Sequence, residues 1–289
     1  MRLGIAAFVN DQTPSVVEVA REVEARGFES LWLGEHTHMP VATTHPATRD
    51  GRLPDIYRRF PDPYVLLGAA AAATERLRLG VCVALVAEHN PLVLAKQVAT
   101  LDHVSGGRVE LGVGYGWNEL EQRNNGVDPR RRRAVLREKL DAIRLLWTSE
   151  SAAYDGEFVS FTESWSWPKP VQQPHPPLLL GARLTANALT DIAELCTGWL
   201  PLKETVADSL EADVARLREQ VPSARVTVHD PEGSMGGKRS LAEFERRRPT
   251  AADLDRYAAA GVDRLILGVP AHDRTLLLHA LDSLATLLP

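Results

Sequence analysis

Residues 101–119 read LDHVSGGRVELGVGYGWNE, and the fold turns on how Gly112, Gly114 and Gly116 are taken. A helical tail gives way to a polar turn at Ser105–Gly107, and a β-rich run follows to Gly114. A dinucleotide-binding sheet needs G-x-G-x-x-G after its first strand, opening directly into a helix. Gly112 and Gly114 fit the first two places, but the third is Trp117. The first β-rich run of the chain, RLGIAAF at 2–8, has no such pattern. The glycines therefore read as a strand end where missing side chains let a flat or phosphorylated ligand approach the backbone. The plain alternative is a tight turn with no ligand.

Working outward, short β-rich runs alternate with helical ones. The helical run SVVEVAREVEARG carries Val16, Val19, Ala20 and Val23 on one face, and Gly27 follows its end. SLWLGE (30–35) is the second strand and LRLGVCVALV the third, a nearly continuous apolar run. The polar stretch from His36 to Asp62 shows no period and reads as a long functional loop over the pocket. In DPRRRRAVLREKLDAIRLLW, Asp128 is suited to cap a helix and Pro129 to open it. Residues 148–177 break the rhythm with a hairpin-like YDGEFVSF and a proline-rich segment. The alternation then resumes through PLLLGA, GWLPL, ARVTVHD and VDRLILGV, each followed by a helical run. Strands buried on both faces and joined by helices imply a parallel sheet. Eight such units predict an α/β chain folded as a (β/α)8 TIM barrel with an insertion around 148–177. An open doubly wound sheet is the rival. No linker divides the chain, so residues 1–289 read as a single domain.

The 289 residues are 44% apolar, enough for one sizeable core, and the formal net charge is −5. That balance argues against nucleic acid and acidic membranes as partners. Cys82 and Cys196 sit far apart in apolar runs and read as buried thiols of a reducing compartment. The N-terminal apolar run is too short for a secretory signal, and no stretch approaches the ~18 apolar residues of a membrane span. A cytoplasmic protein is expected.

Other motifs carry two readings each. SMGGKRS (234–240) resembles a phosphate loop, but Glu232 and Arg239 stand where Gly and Ser or Thr are needed, so it reads as a mobile basic loop. GEHTH places Glu35, His36 and His38 at the end of the second strand, the catalytic rim of a barrel. His36 and His38 suit a metal if the chain stays extended, yet the later strand ends, GARL and PLKE, add no histidine. A metal-dependent barrel hydrolase thus stands as an alternative, and no residue is assigned as a metal ligand. The stronger reading makes His36 a proton donor or acceptor beside a redox ring. Arg130–Arg133 at a helix start oppose the helix dipole and read as a solvated face or a contact for an anionic ligand tail.

Taken together, PLVLAKQVATLDHVSGGRVELGVGYGWNE, DGEFVSF, PKPVQQPHPPLLLGA and GVDRLILGV resemble the luciferase-like monooxygenase superfamily, and most closely its coenzyme F420-dependent branch. The resemblance implies a (β/α)8 barrel and an oxidoreductase that transfers a hydride between a deazaflavin, coenzyme F420, and a small-molecule substrate. The alternative cofactor is FMN, with the chain acting as a monooxygenase that uses O2 and takes its reduced cofactor from a partner flavin or F420 reductase system. A non-catalytic flavin-binding relative is a further alternative. The resemblance places Gly112, Gly114, Tyr115 and Gly116 beside the cofactor's side chain. It places a non-prolyl cis peptide at Cys82–Val83, behind the ring, with Ala84 following. His36 and Glu35 match the pair beside the reactive carbon, Glu35 orienting His36 or binding the ring. Gly181, Ala182 and Arg183 match the phosphate loop, where the family usually has two glycines; Thr185 would cap the next helix. The polyglutamate tail of F420 could meet Arg130–Arg133. Trp117 stands where sugar-phosphate dehydrogenases of the superfamily have a catalytic Glu, which favours an apolar or conjugated substrate. The resemblance also implies a homodimer.

Overall fold

The computed structural model describes residues 1–44, 51–234 and 240–288. Eight parallel strands close into a barrel in the order β1 (Arg2–Ala7), β2 (Ser30–Leu33), β3 (Arg78–Ala84), β4 (Val109–Gly114), β7 (Leu178–Gly181), β8 (Gly198–Trp199), β9 (Arg225–Asp230) and β10 (Arg264–Val269). The gap in numbering is the insertion: β5 (Ser151–Asp155) and β6 (Ser160–Trp165) form an antiparallel hairpin outside the barrel. The proline-rich segment after it contains cis bonds at Trp167–Pro168 and Gln173–Pro174. This is the expected barrel with the expected excursion.

Helices cover the strands, most of them through an apolar stripe. Val16, Val19, Ala20 and Val23 are buried in the first helix, Val16–Ala25, which Ser15 caps through Glu18 N. The Asn90 side chain caps Pro91–Ser105, and Pro91 opens that helix where its missing N–H costs nothing. The Arg-rich helix departs from expectation. It spans Arg132–Thr148 with no side-chain cap, while Asp128 accepts from Arg130 N (3.0 Å) in the turn before it. The structure also contains short helices that periodicity did not reveal, among them Glu119–Asn124 and Leu241–Arg247.

Alternation along the strands decides what enters the barrel. Leu31, Leu79, Val81, Val226 and Val228 join the layer between strands and helices. Their neighbours point inward. At the N-terminal end Glu110 meets Arg264 (2.8 and 3.0 Å), Arg78 (2.5 Å) and Arg225 (3.6 Å). Burial alone would raise the Glu110 carboxyl, but these guanidinium groups hold it down at about 2. Above this layer sits Trp32, its Nε1 donating to Ser30 Oγ (2.8 Å). Higher still lies an apolar cluster of Ala6, Leu179, Leu200 and Ile266, with Cys82 and Val83 packed on it.

Candidate active site

The C-terminal rim is organised around an irregularity in β3. The Cys82–Val83 peptide is cis, and the pairing of β3 with β4 skips between Val81 and Ala84. The skip turns Val83 into the barrel, where the glycines make room for it. A β-carbon on Gly114 would lie 2.6 Å from Val83 Cγ2, and one on Gly181 2.5 Å from Val83 Cγ1. One on Gly112 would lie 2.5 Å from Leu200 Cδ2 and 2.8 Å from the Val81 carbonyl oxygen. The space these three glycines leave inside the barrel is filled by Val83 and Leu200. The Ala84 side chain is fully buried in the helix-facing core, which leaves only its backbone toward the rim. Burial pushes the Cys82 thiol up to about 12, so it stays protonated.

Glu35 and His36 are adjacent in sequence but face opposite ways. Glu35 is buried. Its Oε2 accepts from Leu85 N (2.6 Å), and its Oε1 accepts from His89 Nε2 (2.8 Å). It ties the end of β2 to the irregular end of β3 and does not orient His36. Burial works against a charged His89, but the Glu35 hydrogen bond and charge outweigh it and raise the imidazole above its ordinary value.

The residue that orients His36 is Glu121, on the short helix Glu119–Asn124. Its Oε1 accepts from Thr37 N (2.7 Å), and its Oε2 lies 2.6 Å from His36 Nδ1. A carboxylate that accepts from Nδ1 fixes a proton there, and in a neutral imidazole this makes Nε2 the acceptor. Asn125 Nδ2 supports the same network, donating to Thr37 Oγ1 (2.9 Å) and Glu88 Oε2 (2.8 Å). Burial and the nearby Glu121 charge push the Glu88 carboxyl up to about 8. Aromatic rings wall the His36 imidazole: Phe60 at 4.9 Å, Trp117 at 5.6 Å and Tyr57 at 5.6 Å between centroids. Part of the 36–62 loop therefore covers the rim as expected, with residues 45–50 outside the described residues.

His38 turns away on the surface, with Nδ1 2.9 Å from Thr37 Oγ1 and Nε2 2.8 Å from Asn124 Nδ2. Among the described residues no group of three or more His, Cys, Asp or Glu could hold a metal ion. Residues 235–239 of the phosphate-loop-like segment lie outside the described residues.

On the far side of β4, the Tyr115 hydroxyl donates to Asp191 (2.5 Å), which also receives Arg133 (2.8 and 2.7 Å). Burial and the Asp191 charge raise the phenol well above its ordinary value. Gly116 takes a left-handed φ of 73°, and its missing side chain leaves room for Gln122. In the Arg run, Arg130 pairs with Asp128 and Arg131 with Glu157, so three of the four guanidinium groups meet carboxylates of this chain. At the end of β7, the Ala182 carbonyl accepts from Trp199 Nε1 (2.8 Å). Arg183 is exposed and has no ion pair among the described residues. Thr185 caps the helix Ala186–Leu195 through Ala188 N (3.2 Å). An unpaired guanidinium beside a helix N-terminus fits a phosphate.

The chain is thus a closed parallel barrel of the TIM-barrel class, with a carboxylate-anchored histidine and an exposed arginine at its C-terminal rim. A luciferase-like monooxygenase family profile matches residues 3–259, and the chain belongs to that family. An uncharacterized protein of Mycobacterium tuberculosis is 43% identical over 275 residues, covering 93% of this chain and 92% of that protein. Two solved structures share the fold. An F420-dependent secondary alcohol dehydrogenase, in complex with an F420–acetone adduct, matches with a TM-score of 0.73 and 17% identity, over 100% of this chain and 98% of that one. The oxygenating constituent of 3,6-diketocamphane monooxygenase from Pseudomonas putida, in complex with FMN, matches with a TM-score of 0.70 and 15% identity, over 99% and 97%.

Proposed function

We propose that this luciferase-like oxidoreductase moves a hydride between coenzyme F420 and a small organic alcohol or carbonyl compound, with His36 carrying the accompanying proton. The observation that supports this reading is the His36–Glu121 pair: a carboxylate-anchored imidazole with a free Nε2, enclosed by Phe60, Trp117 and Tyr57. Such a pair suits a step in which hydride and proton leave neighbouring atoms. When bound, the deazaflavin supplies a two-electron hydride acceptor or donor at ring carbon 5.

The chain's own residues do the rest. In the oxidative direction His36 Nε2 accepts the substrate's hydroxyl proton as the hydrogen on the same carbon departs as hydride, leaving a carbonyl. Glu121 stabilises the imidazolium that forms, and in reverse His36 returns the proton. The aromatic rings exclude water and offer an apolar surface to the substrate. Arg183 and the start of the helix Ala186–Leu195 would hold the cofactor's phosphate, and the Cys82–Val83 segment would back its ring. Trp117, in place of an acid, keeps this surface suited to an uncharged substrate.

The test is a titration of the purified protein with coenzyme F420 and, separately, FMN, followed by fluorescence quenching. Micromolar or tighter binding of F420 with weak FMN binding is expected, and a screen of alcohols and carbonyl compounds by F420 absorbance follows. The reverse preference overturns the F420 assignment and makes the chain an FMN-dependent monooxygenase.

A further inference from the structure

We propose that His229 is a ligand-contacting residue, a neutral imidazole that hydrogen-bonds the uncharged amide edge of the heterocycle held across the barrel mouth. The proposal rests on the flavin-type site described above and adds a contact from the opposite wall.

The placement follows from the strand. In β9, Val226 and Val228 belong to the helix-facing core, so alternation points Thr227 and His229 into the barrel. His229 pairs in register with Ile266 of β10, a member of the apolar cluster on which Cys82 and Val83 pack. Its backbone N–H donates to the Pro201 carbonyl (2.9 Å), which fixes the residue at the rim. In the barrel order β9 is separated from β2, and so from His36, by β10 and β1. The two histidines thus approach the mouth from different walls.

The chemistry follows from what the imidazole lacks. Nε2 is closed off from solvent without a hydrogen-bond partner, and neither ring nitrogen bonds to another described residue. Tyr64, Gln97 and Gln122 also carry an unpartnered buried oxygen, as Glu29 does, and Arg264 an unpartnered nitrogen; of these Gln122 lies at the rim but donates its amide N–H to the Tyr115 carbonyl, whereas the His229 ring has no described partner at all. Burial pushes the His229 imidazole down to about 4, so it is neutral near pH 7. A neutral ring has one donor and one acceptor, which matches a carbonyl or amide N–H and is poorly suited to a phosphate. Beside Leu200 and Ile266 such a bond is little weakened by water, whereas an unmet polar atom there is costly. The pyrimidine edge shared by FMN and coenzyme F420 presents this carbonyl and N–H pattern.

The experiment uses the full chain with 15N-labelled histidine, titrated with F420 and with FMN, alongside His229→Phe and His229→Asn. The cofactor that wild type binds should shift the His229 ring signals. His229→Phe should melt no lower than wild type without cofactor, because it removes an unpaired buried nitrogen, yet bind that cofactor about tenfold more weakly. His229→Asn, which keeps a donor and an acceptor, should recover most of the affinity. Unmoved His229 signals on cofactor binding, or wild-type affinity in His229→Phe, overturn the proposal and leave His229 a structural core histidine. If His229→Phe does not fold, the wild-type spectra decide alone. If wild type binds neither cofactor, the functional reading and this contact both fail; if it binds one and His229 is indifferent, only this contact fails.

Discussion

At the N-terminal end of the barrel Glu110 meets three guanidinium groups and is closed to solvent. At the C-terminal end the His36 ring bonds to one carboxylate through Nδ1, and the His229 ring bonds to no described residue. Both ends place charged or polar side chains inside the same ring of strands. At the bottom carboxylates and guanidinium groups are paired with one another, with only Arg264 Nε and Glu29 Oε2 left over among the described residues. At the top hydrogen-bonding capacity is left over and surrounded by apolar walls. The first arrangement supports the fold and the second is available to a ligand, the division expected of a (β/α)8 barrel.

The comparison is tested most severely at Glu110. Glu110→Ala leaves the buried Arg264 without its main counter-charge and should cost about 3–5 kcal/mol in urea unfolding, with cofactor affinity of the folded protein unchanged. The pH dependence has a definite sign. The folded carboxyl is held at about 2 against an ordinary 4.5, so its contribution is complete above about pH 4.5 and is lost as pH falls through 2. That contribution is about 3 kcal/mol, and Glu110→Gln should flatten the acid limb of the stability curve. A Glu110→Ala protein as stable as wild type would mean the bottom layer is not what holds the barrel.

At the mouth, Glu121→Gln keeps the shape of the side chain but removes the charge that stabilises an imidazolium at His36. Turnover should fall about 100-fold, and the pH profile of kcat should shift. A purely supportive role for Glu121 would lower the melting temperature without moving that profile. Between the two ends lies the glycine layer. Gly114→Ala places a methyl 2.6 Å from Val83 Cγ2, and overpacking of this kind costs about 1–3 kcal/mol. Val83→Ala removes the obstacle, so the double variant should be less destabilised than the sum of the singles. Additive effects would show that Gly114 is required for something other than Val83.

Much of the fold was legible in the chain. Apolar runs such as RLGVCVA pointed to strands of a parallel sheet, and the spacing of Val16, Val19, Ala20 and Val23 marked the first helix. The site was legible in its positions more than in its partnerships. Glu35 was paired with His36 through the family resemblance, but both lie beyond the end of β2, where no regular spacing fixes which way a side chain points. Glu121 went unread because its helix has six residues, too few for a periodic signal, and because its partner lies 85 positions away. The glycines suggested close approach correctly, but only the contacts show that Val83 is what approaches.

Arg183 gives the smallest expected effect and the sharpest division between the two kinds of residue. It is exposed and has no ion pair among the described residues, so Arg183→Ala should leave the unfolding midpoint unchanged. If it holds a phosphate, the same variant should weaken the phosphate-bearing cofactor about tenfold, and more at low salt than at high. The phosphate-free counterparts separate charge from shape: riboflavin against FMN, or the bare deazaflavin alcohol against F420. Wild type and variant should bind the phosphate-free form alike. An equal loss for both forms would place Arg183 against the ring or the sugar chain, and no loss for either would leave the start of the helix Ala186–Leu195 to hold the anion without a side-chain charge.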